Sequence, residues 1–427
     1  MHWRETLPDW YVAKYGYQPC VNIGTAGHVD HGKTTLIQAL TGSWTSVHSQ
    51  ELKRGITIRV GYSDAAFYKC GSCEEPLCYS TAPVCANCRG TSELARVVSF
   101  VDSPGHESLM ANMLSGSALM DGALLLVAAN ERVPRPQTRE HMLALQTLGI
   151  RQIVVVQNKI DLLTYEEAVA NHDDIADFLN KTHAKKDPPP VIPVSAQSPL
   201  NIDALIGAIE STVETPERDE NREAVMHVLR SFDVNRPGTR ISDMKGGVIG
   251  GSLVRGSFGV GDEIEIKPGL PSERRKGKYD PLVTEITSLG TGAGTVESVK
   301  PGGLVAIGTK LDPSMTRSDS FIGSVIGRPG TLPASTTSLQ MSVSLFDSAV
   351  GTAAAEDVKV KPIQTGEMLR LNIGTAPIPG QARRVSAGGD VIEVELRRPA
   401  CMFEGEHVAI SRRIADRWRL IGAGTIG

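Results

Sequence analysis

No apolar run in this chain approaches the ~20 residues needed to cross a bilayer, and the opening Met1-His2-Trp3-Arg4-Glu5 carries no secretory apolar core. Both absences point to the cytoplasm and to no membrane partner. An excess of charge of one sign is missing too: 44 Lys and Arg stand against 48 Asp and Glu, a formal net charge of -4. That excludes a global attraction for nucleic acid and leaves any RNA partner to local basic patches and shape. Cysteine is scarce, and Cys20, Cys78 and Cys401 are too scattered for a disulfide framework, so they read as ordinary buried thiols. At 427 residues the chain is nonetheless too long for one core and divides into two to four domains.

Against this plain background stands Gly27-His28-Val29-Asp30-His31-Gly32-Lys33-Thr34, which fits G-x-x-x-x-G-K-[ST] and follows the short apolar run Val21-Asn22-Ile23. The spacing predicts a phosphate-binding loop. Its glycines let successive backbone N–H groups turn toward phosphates at the positive end of the helix that begins near Lys33. In that arrangement Lys33 reaches the β- and γ-phosphates and Thr34 offers its hydroxyl to Mg²⁺, with Asp30, His31, Gly32 and Thr35 completing the loop. A Gly-rich turn matching by chance is the bland alternative.

From Val21 to about Thr212, strand-like runs (98–101, 123–127, 153–156, 191–194) alternate with helical patterns, as at His141, Leu145 and Leu148. This predicts a doubly wound, mainly parallel α/β sheet with ligands at the carboxyl ends of its strands. Residues 43–96 form an insertion too long for a simple connection. After the polar stretch 214–219 helix signals almost vanish. Clean alternation at 263–267 and at 392–397 predicts half-buried strands. The break at 327–333 divides this β region into two barrels. The expected domains are therefore 1–215, with a zinc-ribbon insertion at about 68–92, then 216–330 and 331–427.

Three further stretches strengthen the nucleotide reading. Asp102-Ser103-Pro104-Gly105 follows a strand, where the carboxylate would hold the Mg²⁺ shell and the Gly105 N–H would meet the γ-phosphate. In Asn158-Lys159-Ile160-Asp161, a buried Asp161 carboxylate would accept from N1–H and the 2-amino group of guanine. Leaving it unpaired against adenine costs roughly 1–3 kcal/mol, which favours GTP. Ser195-Ala196 would add a backbone N–H to guanine O6. A helix cap is the alternative for the Asn-Lys-x-Asp run taken alone. Cys70, Cys73, Cys85 and Cys88 form two C-x-x-C pairs separated by eleven residues, a spacing that closes tetrahedrally on Zn²⁺ and leaves no open position for catalysis. A redox pair or unrelated thiols are the other readings.

With these residues in hand the chain resembles the translational GTPases. Within them it is most similar to the gamma-subunit family of the archaeal and eukaryotic initiation factor two, archaeal in type because a long N-terminal extension is absent. The marks are Gln18-Pro19, the loop with its internal His28-Val29-Asp30-His31, Lys53-Arg54-Gly55-Ile56-Thr57-Ile58, Ser103-Pro104-Gly105-His106-Glu107, residues 128–131, Pro136-Gln137-Thr138-Arg139-Glu140-His141, and the four-cysteine insertion. The resemblance implies that Thr57 closes on Mg²⁺ when the γ-phosphate is present. It also implies that His106 positions the attacking water, that Val29 with Ile56 gates it, and that Asp30 touches the metal shell. Ser103, where alanine is usual, and the run 132–135 depart from the family pattern.

The resemblance further implies a GTP-switched carrier of methionylated initiator tRNA for the small ribosomal subunit, bound also by alpha and beta subunits of the factor, which lets the tRNA go once GTP is hydrolysed to GDP. Tyr62 is the candidate for lining the tRNA pocket by stacking, with a core tyrosine as the alternative. Slow intrinsic hydrolysis is expected because no arginine finger is recognisable in cis. The basic clusters at 274–276, 383–384 and 412–413 are left unassigned, because clustered charge is commonly a solvated loop. A selenocysteine-specific elongation factor and a zinc-braced RNA-binding module with a merely structural nucleotide site are the competing readings. The first usually carries sequence beyond the point where this chain stops, at Gly427.

Overall fold

The computed structural model of the chain describes residues 3–45, 60–105, 110–182, 188–272, 278–349, 358–414 and 416–427. Ile56 and Thr57, with the whole 53–58 run, His106 with Glu107, and the basic cluster 274–276 lie outside the described residues. The chain forms two compact units, Met1–Val12 with Pro19–Pro216, and Ala13–Gln18 with Glu217–Gly427.

The first unit is built on a seven-stranded sheet. Its strands are β1 (Val21–Gly27), β2 (Gly61–Lys69), β3 (Tyr79–Ser80), β4 (Glu93–Asp102), β5 (Gly122–Ala128), β6 (Ile153–Asn158) and β7 (Val191–Pro193), in the order β3-β2-β4-β1-β5-β6-β7. Neighbours from β4 through β7 run parallel. The helices are α1 (Asp9–Tyr15), α2 (Lys33–Thr41), α3 (Met110–Ser117), α4 (Pro136–Thr147), α5 (Tyr165–Thr182) and α6 (Ile202–Thr212). Central strands buried along their whole length, such as Gly-Ala-Leu-Leu-Leu-Val-Ala in β5, are what a parallel sheet covered on both faces requires.

The expected doubly wound sheet is present, with one correction at its edge. Residues 61–69, read from sequence as part of an insertion, are strand β2, antiparallel to β4 from Gly61 opposite Asp102 to Lys69 opposite Glu93. The inserted part proper is the tip of this hairpin, which holds the four paired cysteines. Periodicity gave little warning, because Ala65, Ala66, Phe67 and Tyr68 are all buried in succession rather than alternately.

The second unit carries two barrels. In the first, strands β8 (Val225–Phe232), β9 (Val248–Arg255), β10 (Glu263–Pro271), β11 (Tyr279–Thr291), β12 (Val305–Thr309) and β13 (Val325–Gly327) close in the order β10-β13-β8-β9-β12-β11 and back to β10. Ile264 and Ile266 point into its core beside Met226, Ile249 and Ile307, while Glu263 is exposed. In the second, β14 (Thr336–Leu345), β15 (Met368–Ile373), β16 (Ala376–Val385), β17 (Val391–Ala400), β18 (His407–Ile414) and β19 (Arg417–Ile426) close as β14-β17-β16-β15-β18-β19. Ile392, Val394 and Leu396 fill that core. Val225, Val325, Leu332 and Cys401 join the barrels, and the Thr375 hydroxyl donates to the Val228 carbonyl at 2.6 Å. Cys20, Cys78 and Cys401 are free, buried thiols.

Candidate functional site: a phosphate-binding loop and a four-cysteine cluster

The loop between β1 and α2 turns on residues with positive φ: Gly27 (135°), Asp30 (62°) and Gly32 (90°). At Gly27 the glycine is obligatory, since a Cβ there would sit 2.4 Å from the Leu126 carbonyl oxygen. Lys33, at the first turn of α2, is buried and donates to the carbonyls of Gly27 at 3.0 Å and His28 at 2.7 Å. Burial pushes its ammonium down to about 8, against the pull of Asp102 and Asp30. Thr35 follows half-buried in the same turn, Val29 is half-buried, and Asp30 is exposed.

The end of β4 meets this loop. The Asp102 carboxylate is fully buried and gathers three hydroxyls, accepting from Thr34 and Thr45 at 2.7 Å and from Thr25 at 3.2 Å. Burial raises the carboxyl, and those hydroxyls together with Lys33 pull it back. A Cβ on Gly105 would stand 2.4 Å from Lys33 Nζ and 2.9 Å from the Gly27 oxygen, so the 102–105 loop lies directly against the phosphate loop. A buried anion and a threonine hydroxyl side by side are the donor set that a hard divalent cation such as Mg²⁺ takes.

The residues expected to recognise the base come together through Asn158 at the end of β6. Its Nδ2 donates to the His31 carbonyl at 2.9 Å, and its Oδ1 accepts the Ala196 N–H at 3.1 Å. Lys159 takes the left-handed conformation, φ 65°. Ser195 is buried, its hydroxyl accepting from the Ser198 N–H at 3.1 Å. One detail differs from the sequence reading. Asp161 is exposed in a short 3-10 turn rather than buried, so its desolvation argument holds only with a base seated over it. Of the two backbone N–H groups expected near guanine O6, that of Ala196 donates to Asn158 Oδ1.

One residue of this site was not singled out from sequence. His141, on α4, is fully buried, and its Nδ1 accepts the Gly27 N–H at 2.8 Å. Accepting at Nδ1 places the ring proton on Nε2, which has no hydrogen-bond partner among the described residues. Burial, reinforced by Lys33, His28 and His31, pushes the imidazole down to about 3. His31, buried with its ring on the Leu126 carbonyl and 3.5 Å from Glu131, is likewise held neutral by desolvation. The only sequence signal for His141 was its place at the end of the 136–141 run; the contact with Gly27 spans more than a hundred residues.

The four paired cysteines converge. Cys70 and Cys88 sulfurs are 3.5 Å apart, those of Cys73 and Cys85 3.7 Å, and all four lie within 4.8 Å of one another. Zn–S bonds of about 2.3 Å give a tetrahedron edge near ~3.8 Å, so the set fits zinc. Backbone N–H groups of Cys88 and Asn87 lower the Cys85 thiol to about 7, while hydrogen bonding with Cys88 pushes Cys73 up to about 12. Sulfurs this close ionise together only with a cation between them. Tyr62, on β2 opposite Val101, is 39% exposed, which removes the buried-core alternative for that ring. Arg383, Arg384, Arg412 and Arg413 pair with Glu395, Glu393, Glu367 and Asp416.

Residues 18–215 match the family model of the elongation factor Tu GTP binding domain, and residues 337–426 that of initiation factor eIF2 gamma, C terminal. The translation initiation factor 2 subunit gamma of Archaeoglobus fulgidus is 53% identical over 408 residues, covering 96% of this chain and 94% of the relative. That of Methanocaldococcus jannaschii is 51% identical over 414 residues, covering 97% and 98%. Among solved structures, a bacterial selenocysteine-specific elongation factor superposes with a TM-score of 0.71 at 22% identity. This chain aligns over 95% of its own length and spans 58% of that factor's. The factor SelB of Methanococcus maripaludis gives 0.68 at 23% identity, covering 95% and 78%. At such identity these two carry the fold alone.

Two outcomes follow from the geometry. His141 folds with its pKa near 3 against about 6.5 unfolded. The unfolded chain therefore binds more protons between those values, and stability is lost as pH falls through that window. Denaturant midpoints measured from pH 7 to 4 fall less steeply for His141→Gln than for the parent. The cluster is expected to bind one zinc per chain in metal analysis, and Cys73→Ser with Cys85→Ser is expected to abolish that stoichiometry.

Proposed function

The chain belongs to the translation initiation factor 2 gamma-subunit family of translational GTPases, and from that premise we propose that it carries methionylated initiator tRNA to the small ribosomal subunit in its GTP state and releases it in its GDP state, after GTP hydrolysis. The observation that carries this reading is identity above one-half to an initiation-factor gamma subunit along 94% of that subunit's length. The selenocysteine reading has only the shared fold behind it, and the purely structural reading of the nucleotide site is disfavoured by the intact Lys33, Thr34 and Asp102 set.

In this reading residues 1–215 are the GTP-binding domain, with its zinc ribbon at about 68–92. Residues 216–330 and 331–427 are the barrel domains. Lys33, Gly32, His31, Asp30, Thr35 and the Gly105 N–H hold the phosphates. Thr34, Asp102 and Thr57 would hold Mg²⁺, with Asp30 near its shell, and the ion would supply neutralisation of phosphate charge. Asn158, Lys159, Asp161, Ser195 and Ala196 form the guanine pocket. His106 orients the attacking water and Val29 with Ile56 gates it, the chain's own contribution to hydrolysis being position and electrostatics. Zn²⁺ on Cys70, Cys73, Cys85 and Cys88 is structural. Tyr62 stacks in the tRNA pocket, alpha and beta subunits of the factor complete the complex, and the work is cytoplasmic.

The deciding experiment measures how well the chain protects the aminoacyl ester of initiator, elongator and selenocysteinyl tRNAs from hydrolysis, with GTP and with GDP. Protection of the initiator species in GTP alone is expected. Equal protection in both nucleotides, or preference for the selenocysteinyl species, overturns the proposal. For the chemistry, His106→Ala is expected to bind GTP as the parent does and to hydrolyse it at least about a hundredfold more slowly in single turnover, the lower end of what a positioned catalytic group contributes. Unchanged hydrolysis removes the role given to His106.

A further inference from the structure

The four-cysteine tip is built into a contact with the helix that follows the guanine loop. Tyr79 lies one residue beyond Cys78, whose backbone closes the first knuckle by accepting from the Cys70 N–H at 2.8 Å. The Tyr79 hydroxyl donates to Glu75 at 3.1 Å, and Lys69 lies 5.0 Å over its ring while pairing with Glu75 at 2.8 Å. So fixed, the ring rests on the backbone of α6 at Gly207, where a Cβ would stand 3.0 Å from both Cδ2 and Cε2. Such a contact is tighter than ordinary side-chain packing, and it explains a glycine in a helix interior that would otherwise cost stability.

The base of the same hairpin holds the end of α6. Arg96 of β4 is almost wholly buried and forks over the last turn. Its Nη2 donates to the Ile209 carbonyl at 3.1 Å, its Nη1 to the Val213 carbonyl at 2.6 Å, and its Nε to Glu210 at 2.7 Å. A guanidinium there satisfies the orphan carbonyls and opposes the negative end of the helix. At the other end, α6 starts from Asn201, whose side chain donates to the Pro193 carbonyl at 2.8 Å. The turn just before it is closed by reciprocal backbone bonds between Ser195 and Leu200 at 3.3 and 3.1 Å. Ser195 and Ala196 in that turn are the residues placed at the guanine base. No loose connection intervenes between hairpin and base loop.

We infer that the cysteine hairpin is a strut for guanine recognition: through Tyr79 on Gly207 and Arg96 on the last turn of α6, it fixes the Ser195–Ala196 loop and so sets how long a guanine nucleotide stays bound. Tyr79 and Arg96 are positioning residues, touching no nucleotide. The inference rests on the guanine-nucleotide reading above. Binding of GDP by the parent chain tests that reading separately from the variants.

The experiment uses the full-length chain and a fluorescent GDP analogue, reading dissociation by chase with unlabelled GDP, together with zinc content and thermal midpoint. Tyr79→Ala is expected to release the analogue about threefold faster or more, within the range of coupling carried by packed side chains. Zinc content should stay at the parent value. Tyr79→Phe, which keeps the ring, restores the parent rate. Removing zinc from the parent with a chelator speeds release by a similar factor, and removing it from Tyr79→Ala adds little, because both act through one contact. Gly207→Val, which displaces the ring without deleting it, carries the same expectation should Tyr79→Ala fold poorly. Release at the parent rate from both Tyr79→Ala and Gly207→Val overturns the strut. Additive effects of zinc removal and Tyr79→Ala overturn it too.

Discussion

The constraint on which the nucleotide site depends is a single carboxamide. Asn158 at the tip of β6 donates to His31 in the phosphate loop and accepts from Ala196 after β7, joining three strand ends that are far apart in sequence. Both halves of the amide are used and the group is buried, so rotating or replacing it would strand a buried donor and a buried acceptor, about 1–3 kcal/mol each. The clamp also dictates its neighbour: a Cβ on Gly32 would come within 2.3 Å of Asn158 Nδ2, on a backbone already at φ 90°. The glycine before Lys33 thus serves two masters, the turn around the phosphates and the approach of Asn158. A motif treated as a phosphate cradle is equally a socket for the guanine half of the site.

Charge is handled in the same economical way. Lys33 and Asp102 are both withdrawn from water, and each is shifted toward its neutral form by burial while the other pulls it back. Their hydrogen bonds, Lys33 on two carbonyls and Asp102 under three hydroxyls, keep the desolvation tolerable. Such a site gives up stability to remain organised, a common arrangement where function rather than folding sets the residue choice. The neutral histidines around it fit that logic, because a protonated His141 would lose its bond to Gly27 and add a cation beside a buried lysine.

Much of this was legible in the sequence because the chemistry is local. Residues 27–34, 102–105 and 158–161 each lie on one turn after one strand, so spacing alone predicts that they meet, and the cysteine pairs signal a four-sulfur cluster in the same way. The two barrels were legible from alternation, as at Ile264 and Ile266 with Glu263 and Glu265 facing outward. What escaped was non-local or carried no period. Strand β2 is buried on both faces at Ala65 to Tyr68 and shows no alternation. His141 reads as one apolar-face residue of a helix until the fold brings it to Gly27. Asp161 reads as buried only with a base seated over it, and Arg96, one of several polar residues in β4, gives no hint that it caps a helix more than a hundred residues later.

The hairpin of β2 and β4 makes the placement of the cysteine cluster intelligible. One strand, β4, carries Arg96 near the base of the cysteine tip and Asp102 at the phosphate loop, six residues apart, or roughly 20 Å at the rise of an extended chain. Asp102 receives the Thr34 hydroxyl at one end; Arg96 holds the helix behind the base loop at the other. A strand paired on both sides, to β1 and to β2, is among the stiffest connections a protein can make. The register is pinned by the burial of Val97 to Asp102, since a slip of one residue would turn the Asp102 carboxylate away from Thr34. An insertion at the tip of that hairpin therefore extends an element already tied to the phosphate end of the site. Four thiolates closed on a metal would suit this use, because they would order a short loop that has too few apolar residues to order itself.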